Sequence, residues 1–195
     1  ILTFQNKWVK ILNPVYLSDI ARFTTIKNGG WFFDLDQIFT RNFDDLCHYD
    51  FVSGKGLNTM YIGVLGKSKY SKSFNCFHEY QQTLLNEDRK LTSYAEIGNI
   101  LINKVIKTDK YKALAQAEKL FIADYPYFYP VFNSNEVDVL FKGKVVINEL
   151  KNNYAVHWFG GHRKSQTFNK LYTEKYAKTS TDSISDYCRI IRVLL

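Results

Sequence analysis

The sequence predicts an α/β protein, and three observations carry that prediction. Segments whose apolar residues recur at helical spacing alternate with short runs rich in aromatic and β-branched residues. Glycine and asparagine pairs punctuate the segments, and no linker-like stretch or internal repeat separates them. The composition is globular, with 46% hydrophobic and 23% charged residues in a chain of 195. A chain of that length buries roughly 70% of its unfolded surface, so one domain over 1–195 is expected.

The elements follow in order. Asn13-Pro14 reads as a helix start, and Val15, Leu17, Ile20, Ala21 and Phe23 or Thr24 keep helical spacing. Asn28-Gly29-Gly30 ends that helix. Trp31 to Phe39 is aromatic and apolar on both faces, which predicts one buried, central strand. Residues 41–50 read as a polar turn, and Asn58 to Leu65 as a strand bounded by glycines. Residues 74–89 read as a helix with Phe74, Phe77, Tyr80 or Gln81, and Leu84 on one face. A second helix is expected over 93–107, and the helical signal continues through 111–121 until Pro126 and Pro130 break it. Glu136 to Phe141 and Lys144 to Leu150 alternate like a hairpin, and Tyr154 to Phe159 forms a short strand running into Gly160-Gly161. A lysine-rich tail and a last helix over 184–195 complete the chain.

Charge and cysteine usage narrow the function. The net charge of +7 comes from twenty Lys against six Arg, a diffuse excess that favours anionic partners and solubility. No segment interleaves arginine with aromatics as nucleic-acid modules do, so nucleic acid is not the expected partner. Three cysteines at 47, 76 and 188 make neither a zinc spacing nor a disulfide framework. No apolar run reaches the ~18 residues of a membrane span, and the opening Ile1 to Lys7 lacks the pattern of a signal peptide. A cytoplasmic protein is expected, with peripheral membrane contact open to the basic stretch Lys164 to Lys178.

Three pieces carry chemistry. Asp19 and Arg22 lie three apart and share a helical face. Read alone, they are a surface ion pair of little weight. Asp34 and Asp36 lie two apart on the expected strand, so their carboxylates point one way. Two carboxylates on an otherwise apolar strand are costly to bury, and Mg²⁺ or Mn²⁺ would neutralise them. The third piece, Ala155-Val156-His157-Trp158-Phe159-Gly160-Gly161, pairs a histidine with a large aromatic and two glycines.

In this order the pieces resemble a known group. Ser18-Asp19, Arg22, Gly29-Gly30 and Asp34-Leu35-Asp36 look like the DxD sugar-binding region of GT-A glycosyltransferases. The likeness is to the α-1,4-/α-1,6-glycosyltransferases, the capsular-polysaccharide transferases and the catalytic domains of clostridial toxins. The histidine segment resembles that group's C-terminal HxW element. The match covers roughly residues 14–46 and 150–162; Phe32 stands where the group usually has Tyr, and the gap from Arg22 to Gly29 is one residue shorter.

The resemblance implies a GT-A-like, Rossmann-like mixed sheet flanked by helices. Only twelve residues precede Asn13 and the chain opens on Ile1, so it is expected to lack the group's N-terminal βαβ start. The implied activity is metal-dependent transfer from a nucleotide sugar, UDP-sugar favoured, to a glycan, lipid-linked or protein acceptor, with retention. Asp36 would bind Mn²⁺ or Mg²⁺ directly, and Asp34 would hold the ribose or the metal through water. Asp19 and Arg22 would contact donor-sugar hydroxyls. His157 would complete the metal shell or touch the diphosphate, and Trp158, with Gly160 and Gly161, would cover the pyrophosphate or the sugar. Arg163 and Lys164 read either as groups that help carry diphosphate charge or as solvated surface.

Two other readings compete. Asp138, Glu149 and Lys151 resemble the Asp…Glu-x-Lys hairpin of restriction-like nucleases, with Asp138 and Glu149 sharing a metal. A degenerate transferase that only binds glycan is the other.

Overall fold

The computed structural model describes residues 14–56, 59–87, 90–130, 140–141, 153–170 and 174–179. They form a mixed α/β structure, its main sheet mixed parallel and antiparallel and flanked by helices. Two compact units divide the chain. The first takes the described residues up to Phe33 together with Asp45–Ile122, and the second takes Asp34–Asp44 and the described residues from Ala123 onward.

In the first unit, α1 (Pro14–Thr25) buries Asp19, Ile20, Arg22 and Phe23. It ends where Gly29 and Gly30, at φ 104° and 119°, turn the chain in a conformation that disfavours any side chain. A Cβ at Gly29 would also lie 3.0 Å from the Lys69 amide nitrogen. The four-stranded sheet runs in the order β1 (Gly30–Phe33), β4 (Met60–Lys67), β3 (Phe51–Lys55), β5 (Leu120–Asp124). β4 pairs antiparallel with both β1 and β3.

Three helices complete the unit: α2 (Ser73–Asn86), α3 (Asn99–Val105) and α4 (Asp109–Gln116). Phe23, Phe51, Phe74 and Phe77 meet in its core, with ring centroids 5.7–6.2 Å apart. On α2 it is Gln81 that faces inward, donating to the carbonyls of Asp19 and Ile97, while Tyr80 is exposed.

The run Trp31 to Phe39 is not one buried strand. β1 ends at Phe33, residues 35–36 turn, and β2 (Gln37–Phe39) belongs to a separate sheet. β1 is an edge strand with no buried residue. A continuous central strand would have buried Asp34 and Asp36 without partners. The turn instead leaves Leu35 99% exposed.

Two helical expectations also shorten. Residues 94–98 form turns, so α3 starts only at Asn99. Gly98 sits against the Asp19 carboxylate, where any Cβ would collide. After Gln116 the chain leaves the helix for β5, because Lys119 pairs its backbone with Asp50: Asp50 N donates to Lys119 O at 2.7 Å and Lys119 N to Asp50 Oδ2 at 2.9 Å.

In the second unit, β2 pairs antiparallel with β6 (Ala155–His157), and α5 (Arg163–Asn169) and α6 (Glu174–Thr179) follow. Phe43 stacks on Phe128 at 6.0 Å and packs on Tyr154 at 5.4 Å. Backbone bonds from Thr40 N to Tyr154 O and from Tyr154 N to Tyr127 O tie these segments together. Leu140 and Phe141, expected in a strand, are helical. Asp138, Glu149 and Lys151 lie outside the described residues, as does the expected helix over 184–195. Among the described residues no helix is long and apolar enough to cross a membrane.

Candidate metal centre

Asp34 precedes the turn that joins β1 to β2, Asp36 lies in it, and His157 ends β6. The β2–β6 register pairs Gln37 with His157, Ile38 with Val156 and Phe39 with Ala155. That pairing carries His157 to the turn, across roughly 120 residues of chain. The carboxylates thus converge with the imidazole through strand pairing, and not by sharing a strand face.

One ligand atom from each of Asp34, Asp36 and His157 lies within 4.8 Å of the others, and all three residues are half-buried. His157 Nε2 is 2.9 Å from Asp36 Oδ1 and 4.0 Å from Asp34 Oδ2. Gly160 N donates to Asp36 Oδ2 at 2.6 Å, and Trp158 N donates to the Asp36 carbonyl at 3.2 Å. Burial pushes the Asp36 carboxyl toward the neutral form, but the His157 hydrogen bond and charge and the Gly160 N–H outweigh it and hold its pKa below the ordinary value. The Asp36 carboxylate is therefore kept charged in a partly desolvated position.

The loop after β6 is shaped to hold this geometry. Phe159 takes a left-handed φ of 52°, and its ring meets the His157 imidazole edge-on at 4.3 Å. Tyr129 packs on the imidazole at 5.7 Å. Ser165, fully buried, donates its hydroxyl to the Trp158 carbonyl at 2.7 Å. A Cβ on Gly160 would fall 3.2 Å from Trp158 Nε1 and 3.3 Å from Asp36 Oδ2, so glycine is what lets this loop approach the carboxylate. Gly161 is exposed, and its carbonyl accepts from Gln166. Arg163 is exposed at the start of α5, and Lys164 is half-buried with its N–H on His162 Nδ1 at 3.3 Å.

Asp19 and Arg22 belong to the first unit, and there they are not a surface pair. Arg22 Nη2 lies 3.2 Å from Asp19 Oδ1, with both side chains under a tenth exposed. Arg22 Nη1 donates to the Ile62 carbonyl at 2.6 Å and Nη2 to Ser18 Oγ at 3.2 Å, while the guanidinium lies over Phe32. The pair joins α1 to β4.

Sequence reasoning missed Gln37. It stands beside Asp36 but reads as an ordinary strand residue; only the β2–β6 register reveals that it opposes His157.

The donor set suits a divalent cation chemically. Two carboxylates and an imidazole bind Mn²⁺ or Mg²⁺ with hard oxygens and Zn²⁺ with nitrogen and oxygen. The His157 Nε2 proton would have to leave for that nitrogen to ligate. Fold and cluster together define a mixed α/β protein with a carboxylate–imidazole centre. No protein-family model, curated protein or solved structure matches the chain.

Proposed function

We propose that the chain is a metal-dependent glycosyltransferase of GT-A type. It uses a nucleotide-sugar donor, UDP-sugar favoured, and transfers to a glycan, lipid-linked or protein acceptor with retention. The observation that carries this reading is the convergence of Asp34, Asp36 and His157 within 4.8 Å, from the two sequence segments whose motifs resemble that group. Mn²⁺ or Mg²⁺ bound there would supply Lewis-acid stabilisation for the charge that gathers on a leaving diphosphate.

The chain's own groups have separable tasks. Asp36 supplies a carboxylate kept charged by His157 and the Gly160 N–H. Asp34 adds a second carboxylate on the same imidazole. Phe159 and Gly160 lie against His157 and Asp36 and would limit the access of water to this point. Arg163 and Lys164, which follow the loop after β6 in sequence, would help carry phosphate charge.

Calorimetric titration of UDP, with and without Mn²⁺, tests the reading on this chain and on Asp36→Ala. UDP binding that requires Mn²⁺ and disappears in Asp36→Ala is expected. Absence of UDP binding, or binding indifferent to Mn²⁺, would overturn it.

A further inference from the structure

Gln37 is the first residue of β2 and is paired with His157 of β6. Directly opposed residues of an antiparallel pair place their side chains on one face, with Cβ atoms about 4.5–5.5 Å apart. The Gln37 carboxamide therefore lies on the face from which His157 reaches Asp34 and Asp36. Gln37 is only 8% exposed. Among the described residues neither its Oε1 nor its Nε2 has a hydrogen-bond partner, and His157 Nδ1 is in the same condition.

A buried amide with both halves unpaired destabilises the fold that contains it. An apolar side chain of similar volume would fill this strand position at less cost. Three orphaned atoms of this kind on one face, beside two carboxylates, mark a place that a ligand completes. The ligand must meet an acceptor and a donor together, as a cation bearing an oxyanion does.

We propose that the Gln37 carboxamide is a binding group of this centre. Oε1 offers a hard oxygen to a divalent cation held by Asp34, Asp36 and His157, and Nε2 donates to an oxyanion that the cation carries. The inference rests on the cation site of the reading above, and it extends that site by a residue that supplies both cation and phosphate recognition.

The test is calorimetric titration of Mn²⁺, alone and with inorganic pyrophosphate, into the full chain, Gln37→Met and Gln37→Glu, with melting of each in the absence of metal. Gln37→Met is expected to melt higher than the unaltered chain, because the orphaned polar atoms are gone, and to bind Mn²⁺ and its pyrophosphate complex about tenfold more weakly or worse. Gln37→Glu keeps an oxygen and loses the donor, so it is expected to retain Mn²⁺ and lose the gain that pyrophosphate brings. Unchanged binding by Gln37→Met, or no Mn²⁺ binding by the unaltered chain, overturns the proposal; the former would leave ordered water as the occupant of the carboxamide. If Gln37→Met does not fold, Gln37→Glu decides, and any pattern but the one given overturns the proposal. Gln37-dependent binding in which UDP adds nothing over pyrophosphate would defeat the transferase reading and leave this one standing.

Discussion

At the scale of single residues, Gly160 is the most exposed to a simple test. Its N–H holds Asp36 Oδ2 at 2.6 Å, and a methyl group there would press on both that oxygen and the Trp158 indole nitrogen. Gly160→Ala should move the carboxylate by a few tenths of an ångström. Mn²⁺ affinity should fall about tenfold, with a stability change within about 1 kcal/mol; paired Mn²⁺ and urea titrations check both, and an unchanged affinity would show that the loop gives way.

Arg22 makes the opposite case. Its removal breaks a buried ion pair and the bond to the Ile62 carbonyl, so Arg22→Met should cost about 3–5 kcal/mol, read as a lower urea midpoint. A loss under about 1 kcal/mol would mean that the pair behaves as a solvated one.

At the scale of elements, α2 begins with a weak cap of its own, Ser71 Oγ accepting from Phe74 N at 3.3 Å. Glu118, from the segment between α4 and β5, reinforces it. Its carboxylate accepts from Lys72 N, Ser73 N and the hydroxyls of Ser71 and Ser73. Negative charge at a helix N-terminus is favourable, and charge-assisted bonds exceed neutral ones. Glu118→Ala should therefore lower stability by about 2 kcal/mol, seen in thermal melting, with Glu118→Gln intermediate.

The same contacts explain what the sequence could and could not reveal. α1 and α2 were legible because Ile20, Phe23, Phe74, Phe77 and Leu84 repeat at helical spacing and all point to one core. β5 was hidden because Glu118 and Lys119 continue a helical pattern, and only Asp50 and the α2 terminus, both remote in sequence, draw them out of it. β3 was hidden by Ser53 and Gly54, which carry no strand signal and sit at a register shift. Asp34, Asp36 and His157 were legible as residue types, but the strand that was to align the two carboxylates is a turn. Their meeting depends on β2–β6 pairing, and so does the place of Gln37.

At the scale of the whole molecule, stability follows pH through the groups whose affinity for protons changes on folding. Asp36 is held below its ordinary pKa, so its contribution is present above about pH 4 and is lost as pH falls through its folded value. Lys67 is buried beside Phe74, and desolvation lowers its pKa against the raising pull of Glu118. The unfolded chain then binds the extra proton, and stability rises with pH up to the ordinary lysine value of 10.5. Tyr111, packed on Phe77, is pushed up to about 12 by burial first and by Glu118 and Cys76 next. Here the folded chain holds the proton that the unfolded chain releases above pH 10, so stability falls from pH 10 to about 12. Burial also raises the Cys76 thiol above its ordinary 9.0, so Cys76 opposes Lys67 from about pH 9, and the alkaline limb should rise and then turn over between about pH 9 and 10. Urea denaturation across pH 8 to about 12 tests this. Lys67→Met should flatten the rise and Tyr111→Phe, which keeps the ring and loses the ionising hydroxyl, should flatten the fall. A fall that persists unchanged in Tyr111→Phe would place the alkaline sensitivity in some other group and remove Tyr111 from the account.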